Sequence, residues 1–211
     1  MKEDDVDYKF SKDWFSWAPE IWGQLVPLMP ERKRFLEIGS FEGRSTVWTM
    51  EHLMADDSSI VCIDTWEGGE EHKAANEDMS EAEQNFDHNI ALAKDKFPNR
   101  AVYKCKKNSY YGVTAQAEYI RGLARKDGKD RRFDFVYIDG SHIAKDVLTD
   151  ACLAWPLLKP NGIMVFDDYA WGQPRDALHR PKIAIDAFTN IFGEELVVIH
   201  THYQLIVRKI V

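Results

Sequence analysis

The sequence predicts an α/β fold built on a mostly parallel sheet with helices on both faces, and three observations carry that prediction. From Arg34 onward, short β-branched or apolar runs alternate with longer helical patterns, the arrangement of strands joined by helical crossovers. The first strand runs into Gly39-Ser40-Phe41-Glu42-Gly43 and then a helix, which presents backbone amides at the carboxyl edge of such a sheet. The last two strand-like runs are separated only by Thr201-His202-Tyr203, too short for a helical crossover, so they pair as an antiparallel hairpin.

Taken in order, the chain begins with an aromatic stretch, Phe10, Trp14, Phe15, Trp17 and Trp22, at roughly helical spacing. It reads as a helix packed on the sheet, with a lid over a substrate pocket as the alternative. Strands are expected at 34–38, 59–63, 101–105, 133–138, 162–166, 196–200 and 204–207. Helices are expected at 44–54, 81–96, 112–125, 144–157 and 182–191, where apolar residues recur at three and four positions. The polar, aperiodic stretch 67–80 reads as a long loop after the second strand, a natural active-site element. No linker divides the chain, so 1–211 reads as one domain: an aromatic extension over 1–33 and a core over 34–211.

With 211 residues, 45% of them hydrophobic, the chain is long enough for one sizeable core. A formal charge of -8 and a pI near 5.4 give no long-range attraction to nucleic acid or anionic lipid. The basic residues Arg121, Arg125, Lys126, Lys129, Arg131 and Arg132 read as a solvated helix end and loop rather than a polyanion site. Cys62, Cys105 and Cys152 form no C-x-x-C pair and read as buried thiols of a reducing compartment. The amino terminus lacks a secretory pattern, and no stretch approaches about 18 uninterrupted apolar residues. The expectation is a soluble cytoplasmic protein whose partner is a small molecule or glycan. Its aromatic extension is left with two roles, closing over the pocket or joining a homodimer.

A dinucleotide fingerprint places a second glycine two positions after the first, where a pyrophosphate presses on the backbone. Here that position is Phe41, followed by the acidic Glu42, which disfavours a pyrophosphate and with it a nicotinamide oxidoreductase. S-adenosylmethionine, with its sulfonium and amino cations and no phosphate, tolerates both. Asp64, at the end of the second strand, is placed to accept hydrogen bonds from ribose hydroxyls. At this point the sequence resembles class I S-adenosylmethionine-dependent methyltransferases. Glu37-Ile38-Gly39 through Gly43 is similar to their first motif, and Cys62-Ile63-Asp64-Thr65-Trp66 to their ribose-binding strand. The resemblance implies a Rossmann-like sheet of order 3-2-1-4-5-7-6. It also implies Glu37, Gly39, Ser40 and Gly43 around the methionine end, Asp64 and Thr65 at the ribose, and Ser109 beside Asn108 near the adenine. Asn108-Ser109 departs from the Gly-Asp or Asp-Ala pair often found there.

In that order the fourth and fifth strands are neighbours, so Asp139, Asp167 and Asp168 gather at their carboxyl ends before the cofactor's methyl group, where Asp139 also borders the cofactor. Two unit charges 4 Å apart repel by about 4 kcal/mol at an effective dielectric near 20, so the cluster needs a cation, a shared proton or divergent side chains. A divalent metal answers this most simply, and oxygen ligands suit Mg²⁺, with Mn²⁺ or Ca²⁺ as alternatives. His142, three residues after Asp139, is the candidate base. The spacing resembles metal-dependent sugar O-methyltransferases of the macrocin type, with an aspartate ligand, a histidine three residues on and a later acidic pair. Catechol-type O-methyltransferases share the ligand plan but use a lysine, for which Lys145, on an exposed helix start, is the nearest candidate. Trp66, His72, Tyr169 and Trp171 complete the pocket candidates, able to face a sugar or a flat phenol. The resulting expectation is metal-assisted O-methylation of a sugar or glycan, with a small aromatic diol as alternative acceptor and a noncatalytic cofactor-binding module as the rival of a different class.

Overall fold

The computed structural model describes residues 7–29, 31–172 and 176–211. In chain order it contains α1 (Pro19–Trp22), β1 (Arg34–Ile38), α2 (Arg44–Trp48), β2 (Ser58–Asp64), α3 (Glu70–Ala74), α4 (Ala82–Lys96), β3 (Arg100–Lys106), α5 (Ser109–Asp127), β4 (Phe133–Ile138), α6 (Ala144–Ala154), β5 (Leu158–Phe166), α7 (Pro181–Ile191), β6 (Leu196–Thr201) and β7 (Leu205–Lys209). The seven strands form one sheet in the order β3-β2-β1-β4-β5-β7-β6. Pairings among β1 to β5 are parallel, and β7 runs antiparallel to both β5 and β6. This is the sheet expected from the sequence, closing hairpin included.

Strand side chains alternate between faces, and the sequence loads both with apolar groups. Leu36, Ile38, Val61, Ile63, Val136 and Ile138 pack under α5, α6 and α7. Phe35, Ile60, Cys62, Phe135 and Tyr137 face α2, α4 and the amino-terminal segment. Trp22 is fully buried on this second face, its ring meeting the edges of Phe15, Phe135 and Tyr137 at 4.7–5.2 Å. Its indole N–H donates to Gln204 Oε1 at 2.8 Å, the partner that a buried tryptophan requires.

The aromatic stretch departs from the expected helix. Only Pro19–Trp22 is α-helical, followed by a 3₁₀ segment, Gly23–Leu28. Upstream, the Asp13 carboxylate accepts from the Ser16 amide at 3.0 Å and the Ser16 hydroxyl at 2.6 Å, a local side-chain turn that competes with helix. The segment 67–80 contains the short helix α3, at whose start His72 Nδ1 accepts the Gly69 amide at 2.9 Å. The helix expected over 44–54 becomes α2 plus a π-helical turn, Thr49–Leu53. Cys62 is buried as expected and Cys105 half-buried, but Cys152 is exposed, because it lies one residue past the buried Ala151 on the outer side of α6. In the basic run, Arg131 pairs with Asp127 and Arg132 with Asp130, a solvated helix end. Among the described residues no helix is long and apolar enough to cross a membrane.

Register positions the site. Ile38 pairs with Ile63 on one side and Ile138 on the other, and Ile138 pairs with Phe166. The next residue of each strand therefore stands in one row: Gly39, Asp64, Asp139 and Asp167.

Candidate active site

A cleft of ≈ 830 Å³ runs along this row. Its donor half is built by the glycine turn. Gly39 has φ 84°, and a Cβ there would lie 1.9 Å from the Asp139 carbonyl oxygen, so only glycine permits β1 and β4 to approach this closely. Gly43, with φ 78°, starts α2, and a Cβ there would sit 2.9 Å from the Phe86 ring. Between them, the Ser40 and Phe41 amides donate to Asp64 Oδ2 at 2.8 and 2.9 Å, and the Trp66 amide donates to Oδ1 at 2.7 Å. Asp64 thus ties the turn to β2. A carboxylate has about four lone-pair sites, so it keeps capacity for hydroxyl donors in the cleft it lines.

Gly39, Ser40, Thr65 and Ser109 also line the cleft. Ser109 opens α5, whose N-cap Asn108 accepts the Tyr110 amide at 3.0 Å. Glu37 and Gly43 lie outside the wall, in contrast to the resemblance. By strand alternation Glu37 points to the second face, where its buried carboxylate accepts from Ser40 Oγ at 3.2 Å and from the Ser45 and Thr46 hydroxyls. Burial pushes its pKa up, and those hydroxyls oppose the rise. Gly43 is spent on starting the helix.

The other half gathers the acids. The Tyr137 hydroxyl lies 2.9 Å from Asp139 Oδ2 and also within hydrogen-bond reach of Asp167 Oδ2. One hydroxyl proton cannot serve two anionic acceptors, so the pair is short of a proton or a cation. Burial, then the charges of Asp167 and Asp168, hold the Asp139 carboxyl well above its ordinary range. Burial, then Asp168, pushes Asp167 up to about 7.

Asp168 is differently engaged from the third metal ligand expected of it. Its Oδ2 lies 2.7 Å from His142 Nε2, and its Oδ1 accepts the Tyr203 hydroxyl at 2.5 Å. Among the described residues no group of three or more His, Cys, Asp or Glu is placed to hold a metal ion. The oxygen donors and charge deficit of Asp139 and Asp167 fit a hard divalent cation that keeps water ligands. Asp168 instead engages His142 and Tyr203, one with each oxygen. His142 stands over the acids with its ring 4.4 Å from that of Trp171, and both line the cleft. Lys145 also lines the cleft, but its ammonium pairs with Asp146 at 2.6 Å and its side chain is 77% exposed. Tyr169 is turned outward to Asp186 and Lys182, at 2.9 and 2.7 Å.

The amino-terminal segment roofs the cleft. Asn89, fully buried on α4, accepts the Lys9 amide at 2.7 Å and donates to the Lys9 and Glu42 carbonyls at 2.8 Å. Glu42 accepts the Ser11 amide at 2.6 Å and the Asn85 side-chain amide at 2.9 Å. Beyond this clasp Trp14 stacks on Phe41 at 4.9 Å and meets His72 at 5.5 Å, and Trp17 meets Tyr203 edge-on at 5.0 Å. Trp66 is buried below, its indole donating to the Phe41 carbonyl at 2.7 Å. Sequence reading missed Tyr137, Tyr203 and Asn89, and read Glu42 only as an acid unfavourable to pyrophosphate, not as a partner of Ser11 and Asn85. Tyr137 carried a signal, a hydroxyl inside an apolar strand that must find a partner; Tyr203, in a connection, carried none.

The model of a methyltransferase-domain family matches residues 36–169. No curated protein sequence matches the chain. Solved structures of similar fold include the O-methyltransferase TomG from Streptomyces achromogenes, involved in tomaymycin synthesis and in complex with SAM, at 17% identity and TM-score 0.60, covering 97% of this chain and 83% of that one. The O-methyltransferase from Bacillus cereus in complex with SAH has 16% identity and TM-score 0.57, covering 96% and 84%. The MycE methyltransferase of the mycinamycin biosynthetic pathway, in complex with Mg and SAH, has 19% identity and TM-score 0.54; 94% of this chain spans 51% of that one. With the family match extending from the first strand through the acids after the fifth, the chain belongs to this methyltransferase-domain family.

Proposed function

We propose that this protein transfers the methyl group of S-adenosylmethionine to a hydroxyl oxygen, with a sugar or glycan as the preferred acceptor and divalent-metal assistance at the acids. One observation carries the reading: register places the Gly39–Asp64 turn and the Asp139–Asp167 acids in a single row, with His142 beside it in the same cleft. The amide-rich, phosphate-excluding half suits the nucleoside and its cationic methionine end. The acid half suits an activated hydroxyl. That structures of similar fold carry SAM, or Mg and SAH, supports the same assignment.

Asp64 and Thr65 hold the ribose, Gly39, Ser40 and the Asp139 edge receive the methionine end, and Ser109 borders the adenine. His142 takes the acceptor's hydroxyl proton. The oxygen then attacks the methyl carbon in line with the C–S bond, whose electron pair leaves with sulfur and yields S-adenosylhomocysteine. Trp14 and Trp17 exclude water above the reacting atoms, and the cleft supplies alignment and electrostatics. Asp139 and Asp167 would hold the cation, Mg²⁺ before Mn²⁺ or Ca²⁺, which when bound lowers the hydroxyl pKa and orients vicinal oxygens. The aromatic walls suit the C–H face of a sugar. The amino-terminal segment serves as the roof of the cleft rather than as a dimer contact, and the setting is cytoplasmic, without nucleic-acid or membrane partners.

The test is methyl transfer from labelled S-adenosylmethionine to a panel of sugars, glycosides and catechols, with and without chelator. Label on a sugar hydroxyl, lost on chelation and restored by Mg²⁺, is the expected result. Transfer to catechols alone replaces the acceptor class, and full activity in chelator removes the metal. Tight cofactor binding with no product across the panel overturns the enzyme reading in favour of a binding module.

A further inference from the structure

We infer that Arg44 captures the carboxylate of the cofactor's methionine and thereby couples cofactor binding to the roof. The inference rests on the reading of the cleft as an S-adenosylmethionine site. That reading gives the methionine end Gly39, Ser40 and the Asp139 edge, but no cation for its carboxylate. The same cleft is lined by Asp64, Asp139, Asp167 and Asp168, and an added anion among carboxylates needs a positive partner.

Among the described residues, the Lys and Arg side chains lining the cleft are Lys12, Arg44, Lys73, Lys107 and Lys145. All four lysines are exposed, and only Arg44 is half-buried. Lys12 is already paired with Glu77 at 2.9 Å and Lys145 with Asp146 at 2.6 Å. Arg44 follows Gly43 directly, and the Gly43 amide donates to the Ser40 carbonyl at 2.7 Å, so the tight turn sets Arg44 beside the methionine end. Lys107 instead neighbours Ser109, at the adenine end.

The Arg44 guanidinium is under-used where it stands. Its Nε is buried with no hydrogen-bond partner among the described residues. Its ion-pair partner among them, Asp13, lies at 3.5 Å, longer than the roughly 2.7–2.9 Å of a charge-assisted bond. Asp13 is committed to the Ser16 amide and hydroxyl, and the nearby Glu42 to Ser11 and Asn85. A planar fork of donors without a close acceptor suits a carboxylate. The guanidinium also lies 4.4 Å from the centroid of the Phe10 ring, so Arg44 sits between the glycine turn and the roof. A carboxylate bound to it fixes the guanidinium under Phe10 and beside Asp13. The cofactor then orders the roof before an acceptor meets Trp14 and Trp17.

The experiment compares the parent protein, Arg44→Met and Arg44→Lys in calorimetric binding of two ligands: S-adenosylhomocysteine, and its analogue with hydrogen in place of the carboxylate. Hydrogen exchange at the Ser16 amide, bonded to Asp13, reports the roof. Methionine keeps an apolar stem against Phe10. The parent should bind the analogue about 10- to 100-fold more weakly than S-adenosylhomocysteine, the range of a hydrogen bond between charged groups. Arg44→Met should weaken S-adenosylhomocysteine by a similar factor and leave the analogue within about twofold, because either change removes the same contact. Arg44→Lys, with charge but no fork, should fall between. S-adenosylhomocysteine should slow Ser16 exchange several-fold in the parent and not in Arg44→Met, and the analogue should slow it in neither. Unchanged S-adenosylhomocysteine affinity in Arg44→Met, or equal weakening of both ligands, overturns the capture, and parental Ser16 exchange that ignores S-adenosylhomocysteine overturns the coupling. Parental binding of the analogue shows that a variant is folded. A parent protein that binds neither ligand removes the cofactor reading itself, a result distinct from any failure of Arg44.

Discussion

The two ends of the cleft solve opposite problems on one sheet edge. At the β1–β2 end, the polar groups of the turn are matched: Asp64 meets three amides, and Glu37 below it meets three hydroxyls. At the β4–β5 end, Asp139 and Asp167 press on one tyrosine hydroxyl with too few protons between them. The first end is built for stability and the second is held in tension by it, as expected where function draws on fold energy. Substitutions at the two ends should therefore move stability in opposite directions.

The sharpest break is at Gly39. Replacing it by Ala combines a disfavoured positive φ with a methyl placed 1.9 Å from the Asp139 carbonyl, and the strain and overpacking together should cost at least about 4 kcal/mol. Denaturant unfolding should show most of the stability gone, with cofactor binding lost. The counterpart is Asp139→Asn, which removes one buried ionisable carboxyl from the crowded cluster. It should raise apo stability by about 1–2 kcal/mol, the usual yield of relieving a functional site, while turnover collapses. If both variants destabilise alike, the contrast between the two ends is wrong. Next in size, His142→Ala should lower turnover about 10²–10⁴-fold with S-adenosylhomocysteine affinity intact.

The same contrast explains what was legible in the sequence. All seven strands, the hairpin and the glycine turn could be read, because backbone demands leave local marks: two glycines at fixed spacing, β-branched alternation and a connection of three residues. Asp139, Asp167 and His142 were legible through register, since residues that end adjacent strands must share an edge. Asp168 was placed at the same edge and read as a third metal ligand, but its contact with Tyr203, from a hairpin 35 residues away, left no local mark. Glu37 was misplaced for a simpler reason: strand alternation sends it to the face opposite Ile38, whatever the motif suggests. The roof failed as a helix because Asp13 and Ser16 bond locally, which helical spacing of aromatic residues does not reveal.

Asp150 tests whether tension extends below the acid end. It is buried on α6, and burial raises its pKa from its ordinary 3.8 to about 7, a hydrogen bond with Ser109 opposing and the charge of Asp146 adding. A carboxyl with a raised folded pKa binds its proton more tightly folded than unfolded. Its stabilising contribution is therefore complete below about pH 4 and is lost as pH rises toward about 7. Asp150→Asn keeps an acceptor for Ser109 and removes the titration. Unfolding free energy should then depend less on pH across that window, with a gain of roughly 2–4 kcal/mol above it. An unchanged slope between pH 4 and 7 would show that Asp150 ionises in the folded protein without penalty.

The smallest global effect, and the most local, belongs to Asn89. Its side chain satisfies the Lys9 amide and carbonyl and the Glu42 carbonyl together, so it clasps the roof to α4 and the glycine turn. Asn89→Ala leaves these backbone groups to find water, at a cost of about 1–3 kcal/mol. Because the roof is a peripheral segment without strand pairing, that cost should be taken by local opening rather than global unfolding. Hydrogen exchange at the Ser11 amide, bonded to Glu42, should accelerate about tenfold or more, while the strands under Trp22 exchange as before. With Trp14 and Trp17 released, acceptor KM should rise several-fold while S-adenosylhomocysteine affinity, set by the turn beneath, changes less. Unchanged exchange at Ser11 would mean that the aromatic packing of Trp14 and Trp17, not the Asn89 clasp, holds the roof shut.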